Sequence, residues 1–127
     1  MLEIRSEMKA HRLQDLIIWK RSMALVKEIY LITEELPSQE KFGLVLQLRR
    51  CAVSIPSNIA EGAGRNNPKE FYQFLGIALG SGYELETQLL LLIDLKFIEE
   101  QKLTPLLNEL TEIQKMIYKF KTNLING

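Results

Sequence analysis

Between its prolines and its glycine-rich breaks, this chain repeats apolar residues in alternating steps of three and four. That spacing restricts its fold more than any other feature. The last stretch carries Leu103, Leu106, Leu110, Ile113, Ile117, Phe120 and Leu124 without interruption. The stretch before it carries Phe71, Leu75, Ala78, Gly82, Leu85, Leu89 and Leu92. Upstream, Leu44, Leu48, Ala52, Ile55 and Ile59 continue the pattern, and Leu16, Trp19, Met23, Val26 and Tyr30 begin it. Such steps line up side chains on one face of an α-helix, and a sustained narrow face is the seam of shallow-angle helix packing. No stretch between turn signals alternates with the two-residue period of a strand.

The punctuation places the helix ends. The first helix is expected from about Asp15 to Glu35, because the residue before Pro37 is pushed out of the helical region. The second follows Ser38 as N-cap and ends near Gly62–Ala63–Gly64. The third has the strongest start signal: Asn67 as cap, Pro68 at the first helical position and Glu70 three residues after the cap. It is expected to reach about Lys96. The fourth repeats the device with Thr104 and Pro105 and runs to about Asn123. Short connections make sequential helices antiparallel neighbours. The predicted fold class is therefore all-α, an antiparallel up-and-down four-helix bundle over residues 13–127. Residues 1–12 are read as an N-terminal extension that is poorly ordered or leads into the first helix. Pro56 falls inside the second helix and deletes the bond to the carbonyl of Ala52, which predicts a kink. Gly76, Ala78, Gly80, Ser81 and Gly82 are small residues that admit another backbone, at a propensity cost of roughly 1 kcal/mol per glycine.

Composition matters mainly for what it excludes. One cysteine, Cys51, and one histidine, His11, among 127 residues leave no internal disulfide and no Cys/His metal cluster. Two-metal carboxylate sites in bundles need Glu-x-x-His pairs, which are missing, so no enzyme activity and no cofactor are expected. Glu61 and Glu84 remain the only suggested carboxylate pair. Cys51 follows Arg49 and Arg50, which can lower a thiol pKa, but without a histidine base a packing role is expected. Sixteen basic and sixteen acidic side chains cancel, unlike a protein built to coat nucleic acid or anionic membrane. The longest apolar run, Leu89–Ile93, is far short of the roughly twenty residues that span a bilayer. The start, MLEIRSEMKAHRLQ, is no secretory signal. A cytoplasmic protein with neither a membrane nor a small-molecule substrate as partner is the expectation.

Apolar residues exceed what one seam holds. Ile17, Ile18, Leu25, Leu31, Ile77, Leu79 and Tyr83 lie off the seams, as do some of residues 89–93. A wide core stripe absorbs part of them, and the remainder points to a buried oligomer interface.

Arg50, Ser54, Ser57, Asn58 and Glu61 recur at helical spacing opposite Leu48, Ala52, Ile55 and Ile59, forming a polar stripe. It reads either as a solvated face with hydroxyls serving carbonyls near Pro56, or as a polar network at a subunit interface or partner groove. At this segment, QLRRCAVSIPSNIAEGAGR followed by KEFYQFLGIALGSGYELETQL closely resembles the four-helix bundle family named for the 23S rRNA intervening sequence protein. The opening LQDLIIWKRSMALVKEIYLIT and the turn LPSQEKFGL resemble that family's start, so the resemblance runs from about Leu13 to Tyr118.

The family pattern singles out Arg50, Ser54, Pro56, Asn58, Glu61, Gly62, Gly80, Ser81 and Glu84. Its relative, the accessory protein of diversity-generating retroelements, implies a homopentamer that meets nucleic acid or a nucleic-acid-processing protein. Three departures stand out: Cys51 in place of a usual alanine, Gly82 in place of a larger apolar residue, and a neutral chain where that relative is basic. The resemblance thus implies a non-enzymatic oligomeric scaffold linked to RNA or DNA, with Arg49, Arg50, Arg65 and Lys69 as candidate contacts. Lys115, Lys119 and Lys121 on the fourth helix add to the basic set. The alternative is a protein-interaction module with no nucleic-acid role, which suits the neutral charge and the apolar excess.

Overall fold

A computed structural model describes residues 12–126. The expected extension, with His11, lies outside the described residues except for Arg12. Four α-helices and two short 3-10 turns make up the described fold, and no strand occurs among these residues. The helices are α1 (Ile17–Thr33), α2 (Leu44–Gly64), α3 (Pro68–Asp94) and α4 (Glu100–Asn126); the turns are Leu13–Asp15 and Ser38–Glu40. Contacts pair opposite ends of successive helices. Gly62 approaches Phe71 while Cys51 meets Ser81; Phe71 stacks near Phe120 while Leu79 meets Gln114. Arg21 reaches Glu109, and Glu35 reaches Lys102. These pairs run in opposite senses along each helix, as the short connections require.

The α3 start matches its sequence signal. Asn67 Oδ1 accepts from the Lys69 and Glu70 N–H groups at 2.9 and 3.1 Å, satisfying two donors that a helix N-terminus leaves free. The other two expected caps do not hold. Ser38 begins a 3-10 turn, and α2 starts only at Leu44, after Gly43 breaks the chain at φ −105°, ψ −108°. Glu40 Oε1 lies 3.5 Å from the Leu44 N–H. Thr104 sits within α4, where its hydroxyl donates to the Glu100 carbonyl at 2.9 Å instead of capping. Pro105 is tolerated because the acceptor it strands, on Gln101, belongs to an exposed residue. At the far end of α3, Lys96 takes a left-handed φ of 62°, and Phe97 N–H bonds back to the Leu92 carbonyl at 2.9 Å. This closure stops α3 at Asp94 instead of Lys96.

The expected seams of α2, α3 and α4 lie in the core, with Leu48, Ala52, Ile55, Ile59, Leu75, Leu85, Leu89, Leu103, Ile113 and Ile117 among its buried residues. On α1 the seam is corrected. Its core face is Ile18, Ser22, Leu25, Ile29, Ile32 and Thr33; Met23 and Tyr30 are 46% and 41% exposed. Two polar residues disguised the buried face. Ser22 Oγ donates to the Ile18 carbonyl at 2.6 Å and Thr33 Oγ1 to that of Ile29 at 2.7 Å, so both hydroxyls enter the core satisfied. Trp19, Met23, Val26 and Tyr30 thus form a second apolar stripe beside the core face: Trp19 and Val26 pack against the core, while Met23 and Tyr30 stay exposed.

The small residues of α3 divide by position. Gly80 has open space around the place a Cβ would occupy, and Gly76 meets only Lys121 Cε at 3.6 Å. Gly82 is different: a Cβ there would overlap the amide group of Gln114 on α4. Gln114 itself is buried, and its Nε2 donates to the Leu79 carbonyl at 3.1 Å. The space beside Gly82 is therefore filled by a polar neighbour.

Charged pairs tie α1 to α4. Arg21 donates from Nε and Nη2 to the two Glu109 carboxylate oxygens at 2.8 and 2.6 Å. These hydrogen bonds, aided by the guanidinium charge, hold the Glu109 pKa below its ordinary value against the opposing effect of burial. A carboxylate depressed in the folded state contributes stability above its unfolded pKa, about 4.3, and that contribution is lost as pH falls through the lower folded value. The stability difference between wild type and Glu109→Gln is therefore expected to be present at neutral pH and to shrink below about pH 4. Urea melts of both proteins across that range check this; a constant difference would count against the pairing.

Candidate functional site

The polar stripe of α2 meets α3 in a groove of about 280 Å³ lined by Gln47, Arg50, Cys51, Ser54, Ser81 and Glu84. Its walls are bonded across the helix pair. The Ser54 and Ser81 hydroxyls lie 2.7 Å apart, and Asn58 Nδ2 donates to Ser54 Oγ at 2.9 Å and to the Ser54 carbonyl at 2.8 Å. The Cys51 thiol donates to the Ser81 carbonyl at 3.0 Å. Burial, with the Glu84 carboxylate beside it, pushes the thiol pKa up to about 12, so it stays protonated and poorly nucleophilic at neutral pH. The effect of Arg49 and Arg50 weighed in the sequence is outdone by desolvation.

Of the residues predicted for this network, Arg50, Ser54, Asn58, Ser81 and Glu84 come together. Ser57 is exposed and takes no part in the bonding. Glu61 lies nearer the end of α2, where it pairs with Arg65 at 3.1 Å. Glu61 and Glu84 do not form a carboxylate pair. The residue opposite Glu84 is Cys51, ten residues or about 15 Å along the axis from Glu61. Sequence reasoning missed Gln47 as a lining residue; it lies one turn before Cys51 on the same face, which is the signal that identifies it.

The basic set is also divided. Arg49 stacks on the Tyr30 ring with its guanidinium carbon 4.4 Å from the ring centre, and its Nε donates to Thr33 Oγ1 at 3.0 Å. Its role is to fasten α2 to α1. Arg65 is held by Glu61 and by Glu70 at 3.3 Å, and lies over the Phe74 ring. Arg50 and Lys69 are exposed and make no ion pair among the described residues. Arg50 lies fourteen residues, about 21 Å, before the end of α2, and Arg65 follows that end, so Arg50 does not join Arg65 at the α2–α3 turn.

Among the described residues, no group of three His, Cys, Asp or Glu side chains could hold a metal ion, and no helix is long and apolar enough to cross a membrane. The helix pair carrying this groove is also the stretch where the sequence is most distinctive. The profile of the 23S rRNA-intervening sequence protein family matches residues 14–119. This chain belongs to that family. Among solved structures, it is similar to a protein of unknown function from the S23 ribosomal protein family of Bacteroides thetaiotaomicron. That crystal structure is 27% identical, with a TM-score of 0.77, over 83% of this chain and 98% of the other. A search of curated proteins gave no match. Family membership accounts for the shared bundle, while the groove residues must be read by their own chemistry.

Proposed function

We propose that this protein is a non-catalytic subunit of a homo-oligomeric scaffold that works together with RNA, DNA or a nucleic-acid-processing protein, in the cytoplasm. The observation that carries it is the second stripe of α1. Trp19, Met23, Val26 and Tyr30 repeat at helical spacing, yet the bundle leaves Met23 and Tyr30 over 40% exposed. Val53 and Leu46 on α2 are also exposed, on the face of that helix from which Arg49 reaches the Tyr30 ring. An exposed apolar face of this kind is usually covered by a partner, and in a ring it would meet a different face of the next copy. Five copies is the number implied by the family resemblance. The nucleic-acid side of the reading draws on the family's description, and the exposed Arg50 and Lys69 are the members of the predicted set still available to phosphate.

Light scattering on a sizing column tests the assembly. Wild type is expected at a multiple of the 14.7 kDa chain mass, and Met23→Glu with Tyr30→Glu at the monomer mass with helicity retained. A wild-type monomer at micromolar concentration would sink the proposal. The alternative, a protein-docking module, would be favoured by a partner that stays bound after nuclease treatment.

A further inference from the structure

The outer face between α3 and α4 combines features that neither core packing nor the polar groove uses. Tyr83 and Tyr118 are 63% and 59% exposed, and both line one groove of about 490 Å³. Leu79, Leu110 and Gln114 form its floor, with Glu86 and Lys115 also lining it. One turn past Tyr118, Lys121 Nζ lies 3.7 Å from the centre of the Tyr72 ring, extending the aromatic and basic surface. Lys115 is held only by Glu112 at 3.7 Å, and both side chains are more than half exposed, so that pair yields readily to another anion.

We propose that this groove takes an unpaired base of a single-stranded nucleic acid, stacked against Tyr83 and Tyr118, with the flanking phosphates toward Lys115 and Lys121. Exposed phenol rings interleaved with lysines are the physical requirement for such binding: each base offers a flat π-face, and the lysines follow the backbone. An apolar peptide would bury the same floor but offer Lys115 and Lys121 no anion, which a phosphate backbone supplies. A duplex keeps its bases stacked on one another and cannot present one to the rings. Glu86 is the only carboxylate lining the groove. It accepts a hydrogen bond from an exocyclic amine and repels phosphate, so adenine and cytosine are preferred to uracil. The inference deepens the nucleic-acid part of the proposed function and rests on it.

Fluorescence anisotropy with labelled oligo(rA), oligo(rU) and an RNA duplex, at low and near-physiological salt, provides the test. The single strands should bind more tightly than the duplex and weaken with salt, with oligo(rA) ahead of oligo(rU). Tyr83→Ala and Tyr118→Ala should each weaken binding by about 5- to 150-fold, with helicity and assembly mass unchanged. Unaltered binding in both variants, with loss on Arg50→Ala and Lys69→Ala, would overturn this site while leaving the nucleic-acid reading in place. A change of assembly mass in the tyrosine variants would identify the face as a subunit contact and overturn the site too. No binding to any probe at low salt would remove both.

Discussion

Leu25→Ala is expected to cost the fold about 2–5 kcal/mol, whereas Met23→Ala, two residues away, should cost the isolated chain much less. Leu25 is 1% exposed and belongs to the core cluster with Ile29 and Leu48. Removing its branched end takes away transfer free energy and leaves a hole that rigid helices fill only partly. Met23 is nearly half exposed, so its loss in a single chain removes little buried area. In an assembly it would still matter, through contacts between copies. Urea melts at two protein concentrations separate these effects. The Leu25→Ala loss should be independent of concentration; any Met23→Ala loss should depend on it. Equal, concentration-independent losses would mean that the α1 core face is assigned wrongly.

The second large effect concerns Gly62. A Cβ at this position would lie 2.7 Å from Phe71 Cδ1, 2.9 Å from Phe74 Cβ and 3.3 Å from Phe71 Cα. A ring can turn aside, but Phe74 Cβ and Phe71 Cα move only with the α3 backbone. Gly62→Ala must therefore part α2 from α3 at this close approach, at an overpacking cost of about 1–3 kcal/mol. That exceeds the roughly 1 kcal/mol that alanine gains in helix propensity. At Gly80, with nothing near, only the propensity gain remains. Gly62→Ala should thus lower the denaturation midpoint and Gly80→Ala raise it; the same sign for both would refute the argument.

How much of this was legible in the sequence depends on the helix. For α3 and α4 the apolar spacing identified most of the buried residues, because only Ser81 and Gln114 bring polar groups into those buried faces. For α1 the same rule chose the wrong stripe, since Ser22 and Thr33 hide a core face behind hydroxyls that bond their own helix. Caps were read well where cap, proline and acid agreed, at Asn67, and badly at Ser38, which stood alone, and at Thr104, where a proline followed but no acid stood three residues on. In the candidate site, one-dimensional spacing put Arg50, Ser54, Ser57, Asn58 and Glu61 on one stripe, of which Arg50 and Ser54 line the groove and Asn58 bonds to Ser54. Proximity in sequence also suggested a cluster of Arg49, Arg50, Arg65 and Lys69, of which Arg49 and Arg65 are engaged elsewhere. Tyr30, Thr33, Glu61 and Glu70, which occupy those arginines, come from other turns and other helices. Tyr118 passed unnoticed because an exposed aromatic gains meaning only beside Tyr83, on a helix that spacing alone cannot position.

The Gly82–Gln114 contact has a consequence for how the fold is chosen among its near-copies. Seams built from leucine and isoleucine look alike after a shift of one heptad, so two helices could slide past each other and still bury oily surface. The Gln114 amide fits only where a residue without a side chain faces it and the Leu79 carbonyl is in reach. In an alignment slipped by one heptad it would press into Leu75 or Leu89 instead. Its Oε1 already lacks a hydrogen-bond partner, a burden of about 1–3 kcal/mol. The pair works as the notch in a key: it weakens the metal slightly, and it lets only one depth of insertion turn the lock.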